Sequence, residues 1–303
     1  MVTPPVRRAA VDTLEAEQDC SERHACGLVG IARSTARYAP EPESEEEKEL
    51  RARIQGLAHR HKRYGYLRIT ELLRRENTAV NEKHVHRIWK EEGLQVPRRK
   101  ARKRFRGPKG EVLCRAAHKD HVWSYDIIED RTVYGGKIRF LTVVDEYTRE
   151  CLAIRAGRSI GAKDVLDVLD WLFMTRGVPG HIRSDNGPEF IAKAVRGWLE
   201  GKSDTIYIEP GSPWENPYIE SFNGKFRDEC LNMNLFMSVR DGEEIAEAWR
   251  QEYNRYRPHS ALGYETPAAF AARAVSSVQP TASLRLQHKN YTKQLDPLIS
   301  TGT

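Results

Sequence analysis

The sequence predicts an α/β fold with a mixed sheet for residues 119–275, and three observations support this prediction. Apolar and polar residues alternate from 121 to 156, the pattern of half-buried strands, with a turn at Gly135–Gly136. A helical apolar period then covers 161–175. Beyond it, two short apolar runs alternate with further helical patterns, as they do in α/β proteins.

The predicted elements follow one another in the order βββ-α-β-α-β-α. Tight connections join the first three strands, so we expect an antiparallel meander there. In chain order the elements are strands at 121–129, 137–145 and 151–156, a helix at 161–175, a strand at 180–184, a helix at 189–199, a strand at 205–208, and helices at 218–230 and 241–256. This is the order of a ribonuclease-H-like fold with a five-stranded mixed sheet, in which the first and fourth strands are neighbours.

Residues 6–95 are predicted to form short helices before the sheet. The acidic, proline-containing segment 39–47 is interpreted as a linker. A later helix is capped by Asn81 and ended by Gly93, which gives the layout of a helix-turn-helix. Many three-helix bundles without a DNA partner share this layout, so DNA binding is one of two readings. The side chains expected to face DNA are Lys83, His86, Arg87 and Lys90.

A strongly basic segment follows these helices. Seven of the nine residues at 98–106 are Lys or Arg, in a chain with a net charge of +6. Neutralising DNA phosphates releases counterions and favours binding, so we expect a phosphate-binding arm, with a solvated linker as the alternative. The basic side chains concerned are Arg98, Arg99, Lys100, Arg102, Lys103, Arg104 and Arg106.

The length of 303 residues allows two or three domains. The predicted divisions are a short helical segment at 1–42, a helix-turn-helix domain at 43–95, a basic linker at 96–118, a catalytic core at 119–275 and a flexible tail at 276–303.

The composition indicates the cellular compartment and the chemical role of the cysteines. No apolar run approaches the ~20 residues that a membrane span needs, and the first thirty residues lack the pattern of a signal peptide. We therefore expect a cytoplasmic protein, associated with the nucleoid when bound to DNA. The five cysteines are scattered without a C-x-x-C pair, so neither a disulfide framework nor a zinc knuckle is indicated.

Three acids, Asp126, Asp185 and Glu220, are the candidate catalytic residues. The first two are predicted at the first and fourth strands and the third in the first turn of a helix, so one rim of the sheet can bring them together. Converging carboxylates suit Mg²⁺ or Mn²⁺ rather than zinc, and paired ions activate water or a 3′-hydroxyl for attack on a phosphodiester.

Each acid taken singly has an ordinary structural explanation. An Asp after a strand is typical of a turn, and an acid early in a helix complements the helix dipole. Four other acids are alternative candidates for the catalytic site on residue type alone, namely Asp145, Glu129, Asp130 and Glu146. Joint context favours the three chosen acids.

That context is a set of motifs in a fixed order: W-S-Y-D, S-D-N-G-P-E-F, P-W-E-N-P-Y-I-E-S-F-N, R-D-E, and Y-N-R-Y-R-P-H-S-A-L-G-Y-E-T-P-A. From about residue 45 to 272 the chain closely resembles the DDE integrase-core transposases. It is most similar to the second-frame (OrfB) protein of the "insertion sequence three" family of bacterial insertion sequences. The resemblance places Asp126, Asp185 and Glu220 at the metal-binding positions, in a retroviral-integrase-like core.

The resemblance implies Mg-dependent DNA cleavage and strand transfer at insertion-sequence ends, with two ions per active site. The implied partners are the terminal inverted repeats, target DNA, further copies of the chain and a first-frame (OrfA) protein. Asn223, Lys225 and Arg227 are candidates to hold DNA, and His259 either contacts phosphate or is structural. The alternatives are a DNA-binding regulator with a degenerate core and a nuclease that cuts without joining. The 34 residues between Asp185 and Glu220 are one fewer than is usual in the family, which leaves the activity of this copy open.

Overall fold

The computed structural model describes residues 3–38, 43–96, 114–184, 189–207 and 216–274. The chain divides into two compact units, Met1–Gly56 and Leu57–Thr303. Within the described residues, no helix is both long enough and apolar enough to cross a membrane.

The first unit is helical. It contains α1 (Pro4–Gln18), α2 (Glu22–Val29), α3 (Arg33–Ala36) and most of α4 (Glu45–Arg60), with Val11, Ala25 and Cys26 in its core. Ser21 caps α2, since its side chain accepts the N–H of His24. Glu22 accepts hydrogen bonds from Arg33 and Arg37, which fixes α3 against the start of α2.

The interpretation of 39–47 as a linker is wrong for its last three residues. Glu45, Glu46 and Glu47 form the first turn of α4, and the Ser44 hydroxyl accepts the Glu47 N–H at 3.2 Å. Acidic side chains complement the positive end of the helix dipole, so the charge run marks the helix start. Residues 39–42 lie outside the described part of the chain.

The second unit begins with the end of α4 and two further helices, α5 (Tyr66–Arg75) and α6 (Glu82–Glu91). The Asn81 side chain accepts the Lys83 N–H at 2.9 Å, which confirms the predicted cap. Gly93 follows the helix with a φ of +64°, a conformation that favours glycine. The apolar side chains of α6 are buried, which leaves its basic face exposed.

Five strands form the predicted mixed sheet. They are β1 (Val122–Arg131), β2 (Lys137–Asp145), β3 (Cys151–Gly157), β4 (His181–Ser184) and β5 (Asp204–Tyr207), in the spatial order β3-β2-β1-β4-β5. The first three pair antiparallel, whereas β4 lies parallel to both β1 and β5. This topology is ribonuclease-H-like and makes β1 and β4 neighbours, as the element order predicted.

Helices cover both faces of the sheet. They are α7 (Ala162–Arg176), α8 (Glu189–Leu199), α9 (Pro217–Glu229), α10 (Val239–Arg255) and α11 (Pro267–Arg273), of which α11 was not predicted. Successive strand residues point to opposite faces. Phe140 therefore belongs to the core under α9 and α10, and Leu141 to the core under α7. The core under α9 sets the position of the helix that carries Glu220.

Candidate active site

Asp126 lies in the middle of β1, half-buried and opposite Thr142 of β2. Its Oδ1 accepts the N–H of Ile127 at 2.7 Å, and its Oδ2 accepts the Asn223 Nδ2–H at 2.7 Å. The Thr142 hydroxyl donates a hydrogen bond to Asn223 Oδ1 at 3.0 Å. A side chain from α9 thus fixes the carboxylate on β1.

Glu220 lies in the first turn of α9 and is exposed. Pro217 begins the helix, where its fixed φ is favourable and its missing N–H costs nothing. Ile219, Phe222 and Phe226 are buried against the sheet and fix the rotation of the helix. Glu220 and Asn223 are three residues apart and share a helix face. The Asn223–Asp126 hydrogen bond therefore turns the Glu220 face toward Asp126.

Asp185 lies outside the described residues. The last described residue before it is Ser184, which ends β4 and is buried. The parallel register pairs Ser124 of β1 with Arg183 of β4, two residues before Asp126 and two before Asp185. The predicted convergence of the three acids thus stays a prediction.

The competing acids beside β1 and β2 have structural roles. Asp145 is buried and accepts N–H groups from Asp120, Tyr147 and Thr148, so it holds together the turn after β2. Burial raises the pKa of Asp145 to about 6, against the effect of those hydrogen bonds. Asp145 therefore has a structural role.

Glu146 is likewise buried, in an ion pair with Arg183 at 2.8 Å, and it accepts the Ser124 hydroxyl. Burial raises the pKa of Glu146, while Ser124 and Arg183 act in the opposite direction. The pair ties β4 to the end of β2 behind the site.

The remaining competitors lie at the far end of β1. Glu129 is exposed and forms ion pairs with Lys137 and Arg139 across the hairpin. The hydrogen bond to Lys137 is the main reason that the pKa of Glu129 is lowered. Asp130 accepts the N–H of Arg131.

The polar side chains of α9 divide between two directions. Asn223 and Arg227 reach β1, since an Arg227 Nη atom donates to the Glu129 carbonyl at 3.1 Å. Lys225 points elsewhere and donates to the Ser221 hydroxyl at 2.7 Å. Burial, reinforced by nearby Arg257, lowers the pKa of Lys225 to about 8.

Two ion pairs hold the far end of α9, and the sequence did not predict them. Arg257 is 1% exposed and binds Glu229 through two hydrogen bonds of 2.6 Å. Arg63 binds Asp228 through hydrogen bonds of 2.9 and 2.6 Å. Asp228 and Glu229 of the R-D-E motif and Arg257 of the last motif are therefore structural, since they set the position of the helix that presents Glu220.

The rest of the last motif also supports the fold. The Asn254 side chain donates to the Cys151 carbonyl and accepts the Cys151 N–H, so it extends the pairing of β3. His259 is 6% exposed and packs edge-on against Tyr253. Burial, followed by nearby Lys225 and Arg257, lowers the pKa of His259 to about 3. This burial supports the structural role of His259.

The basic face of α6 is exposed as predicted, at Lys83, His86, Arg87 and Lys90. Arg87 forms an ion pair with Glu91 one turn later, and the His86 ring lies 4.4 Å from the Tyr66 ring. The basic residues at 98–106 lie outside the described part of the chain. DNA contact by either set stays a prediction.

Three family models match the chain. Residues 116–211 and 202–267 each match a model described as an integrase core domain, and residues 44–102 match one described as an HTH-like domain. These ranges cover helices α4 to α6 and the sheet with helices α7 to α10.

Several curated proteins are similar over most of the chain. One is the insertion element IS476 uncharacterized 39.2 kDa protein of Xanthomonas euvesicatoria, 40% identical over 89% of this chain and 78% of its own. Another is the insertion element IS407 uncharacterized 31.7 kDa protein of Burkholderia multivorans, 41% identical over 88% and 95%. Transposase InsD for insertion element IS2D of Escherichia coli is 29% identical over 68% and 73%.

Proposed function

Because the chain belongs to the insertion-element transposases with an integrase core domain, it is a DDE polynucleotidyl transferase, and we propose that Asp126, Asp185 and Glu220 are its catalytic acids. The observation that carries this proposal is the hydrogen bond from Asn223 on α9 to Asp126 on β1. It links the elements of two of the three acids at one place on the sheet.

The register of β4 supports the third assignment. Asp185 is the next residue after Ser184, where β4 ends. Since Ser124 pairs with Arg183, a continuation of this parallel register by two residues would bring position 185 beside Asp126. The spacing to Glu220, one residue short, is compatible with this arrangement because a loop tolerates such a deletion.

The three carboxylates fit a divalent metal, since hard oxygen donors open to water suit Mg²⁺ and Mn²⁺. We assign two ions to the site, which Asp126, Asp185 and Glu220 would hold between them. When bound, such ions would supply Lewis-acid activation of the nucleophile and charge stabilisation of the leaving oxygen.

Residues next to Asp126 position its carboxylate. Asn223 and the Ile127 N–H hold the Asp126 carboxylate in one orientation, so that little reorganisation is needed when DNA binds. In cleavage, a water oxygen attacks phosphorus and the bond from phosphorus to the 3′-oxygen breaks. In joining, that 3′-oxygen attacks a target phosphorus and displaces the target's own 3′-oxygen, so each step exchanges one P–O bond for another.

DNA binding is assigned to three basic surfaces. The exposed face of α6 would enter a major groove of the terminal repeat, and the segment 98–106 would follow the phosphate backbone. On α9, Asn223 and Arg227 share the Glu220 face and would hold the DNA beside the reacting strand, whereas Lys225 would bind a more distant phosphate. Two element ends require at least two copies of the chain, and the first-frame protein is a further proposed partner.

The test is a strand-transfer assay with pre-cleaved ends of the element, target DNA and Mg²⁺. We expect Asp126→Asn, Asp185→Asn and Glu220→Gln each to lower joining by about 10³-fold, since each removes several kcal/mol of transition-state stabilisation. Asp130→Asn, on the same strand as Asp126, is the matched control and keeps its activity.

Two outcomes would contradict the proposal. Full joining by any of the three acid variants would show that the assignment of that acid is wrong. Cleavage without any joined product, by the unaltered chain under conditions in which its DNA binding is saturated, would support a nuclease instead of a transposase.

A further inference from the structure

A cluster of one cysteine and two histidines lies apart from the three acids. It consists of Cys114, His121 and His181, whose ligand atoms all lie within 4.8 Å of one another. We propose that this cluster binds one Zn²⁺ ion, with the three side chains as ligands and a water molecule or His118 in the fourth position.

The fold, rather than a local sequence motif, brings the three side chains together. His181 begins β4, and its N–H donates to the His121 carbonyl just before β1 at 2.8 Å. Gly180 allows this close approach, because a Cβ there would lie 3.1 Å from the His121 carbonyl oxygen. On the other side, an Arg183 Nη atom donates to the Cys114 carbonyl at 2.8 Å. The backbone of each of the three residues is thus fixed by a hydrogen bond to another part of the fold.

The imidazole rings are arranged for a shared cation. The His121 and His181 rings have their centroids 5.2 Å apart, and His118 lies 4.5 Å from His121. His181 Nδ1 is buried and has no hydrogen-bond partner; the nearest carboxylate oxygen, of exposed Asp204, is 3.8 Å away. His121 Nδ1 accepts the Ala117 N–H at 3.1 Å, and coordination of an ion by this ring would replace that hydrogen bond.

The ligand types select zinc over the ions proposed for the acids. A thiolate and neutral imidazoles are the ligands of tetrahedral zinc, whereas Mg²⁺ and Mn²⁺ prefer carboxylate and water oxygens. The thiol is half-exposed, so an ion can reach it and displace its proton.

The position of the cluster indicates a structural role. It lies at the starts of β1 and β4, the two strands on which the proposed catalytic acids Asp126 and Asp185 depend. Cys114 is also the first described residue after the basic segment. An ion there would tie the chain that enters the core to both strands, at the opposite end of β1 from its hairpin with β2. The proposal holds whether or not the acids are catalytic.

The experiment uses the full chain without a histidine tag, freed of metal by a chelator and titrated with Zn²⁺ or Co²⁺. We expect one equivalent to bind, and Co²⁺ to give a thiolate charge-transfer band and tetrahedral visible bands. Cys114→Ser should abolish the charge-transfer band, and His181→Asn should weaken Zn²⁺ binding by about 100-fold. Cys20→Ser, which alters another half-exposed thiol, should leave the spectrum unchanged.

A measurement on the unaltered chain guards against misfolded variants. Zn²⁺ should slow alkylation of Cys114, read by peptide mass spectrometry, and leave alkylation of Cys20 unchanged. The proposal is overturned by a chain that binds no Zn²⁺, by a Co²⁺ spectrum without a thiolate band, or by equal alkylation of Cys114 with and without Zn²⁺.

Discussion

Two pairs of acids near β1 and β2 differ in burial: Asp126 with Glu220, and Asp145 with Glu146. Asp126 and Glu220 are half-buried and exposed, respectively, and Asn223 orients the first. Asp145 and Glu146 are buried, one bound to three backbone N–H groups and the other to Arg183 and Ser124. Residue type does not separate the pairs. What separates them is burial, since Asp126 and Glu220 are half-buried or exposed whereas Asp145 and Glu146 are buried.

The largest expected difference between the pairs is in stability. Glu146→Gln leaves the Arg183 guanidinium buried without its counter-charge, and we expect it to lower the free energy of unfolding by about 3–5 kcal/mol. Urea denaturation of the full chain measures this. Glu129→Gln removes only exposed pairs and should cost about 0–1 kcal/mol. Equal effects of the two variants would show that the Arg183–Glu146 pair is not the buried anchor described above.

The second prediction concerns how the open acid is held. Asn223→Ala removes the hydrogen bond to Asp126 Oδ2, and we expect strand transfer to fall by about 10–100-fold, as is usual when a partner of a metal ligand is lost. Because Asn223 is a positioning residue, the metal concentration for half-maximal activity should rise as well. Lower activity with an unchanged metal requirement would instead point to a role of Asn223 in holding DNA.

The third prediction concerns the pH dependence of the free energy of unfolding, which the buried His259 next to α9 determines in part. The pKa of His259 is about 3 in the folded chain, below the ordinary value of 6.5 in the unfolded chain. The unfolded state therefore takes up a proton first, and stability falls as the pH falls from about 6.5 toward 3. Between pH 7 and pH 5 this loss is about 2 kcal/mol.

Relative to the unaltered chain, His259→Gln should therefore gain about 2 kcal/mol of unfolding free energy as the pH is lowered from 7 to 5. His24→Gln alters an exposed histidine and should show no such gain. The groups that lower this pKa, namely Lys225, Arg257, Arg149 and Arg68, are all positively charged and stay so over this range. A constant difference between His259→Gln and the unaltered chain at both pH values would contradict a neutral buried His259.

The local elements could be predicted closely from the sequence. Strand β2 and helix α8 begin and end where the apolar patterns predicted, and the order of elements implied the pairing of β1 with β4. Local periodicity and capping residues carry this information, so neighbours in the chain suffice to read it.

The contacts that settle the roles of single side chains could not be predicted in this way. Glu229 meets Arg257 across 28 residues, and Arg183 meets Glu146 across 37. His181 joins Cys114 and His121 only because β4 lies beside β1. Such pairs depend on the packing of distant elements, which no short pattern encodes. Helix α11 was missed for a different reason, since its pattern is only seven residues long.

The most direct test of the account is the position of the metal itself. Crystals of the chain with an element-end DNA and Mn²⁺, measured at the manganese absorption edge, would give anomalous peaks at the bound ions. We predict peaks within ligand distance of Asp126, Asp185 and Glu220, and none beside Asp145 or Glu146. A manganese ion bound by the second pair of acids, or a DNA-bound complex whose manganese does not contact Asp126, would contradict the account.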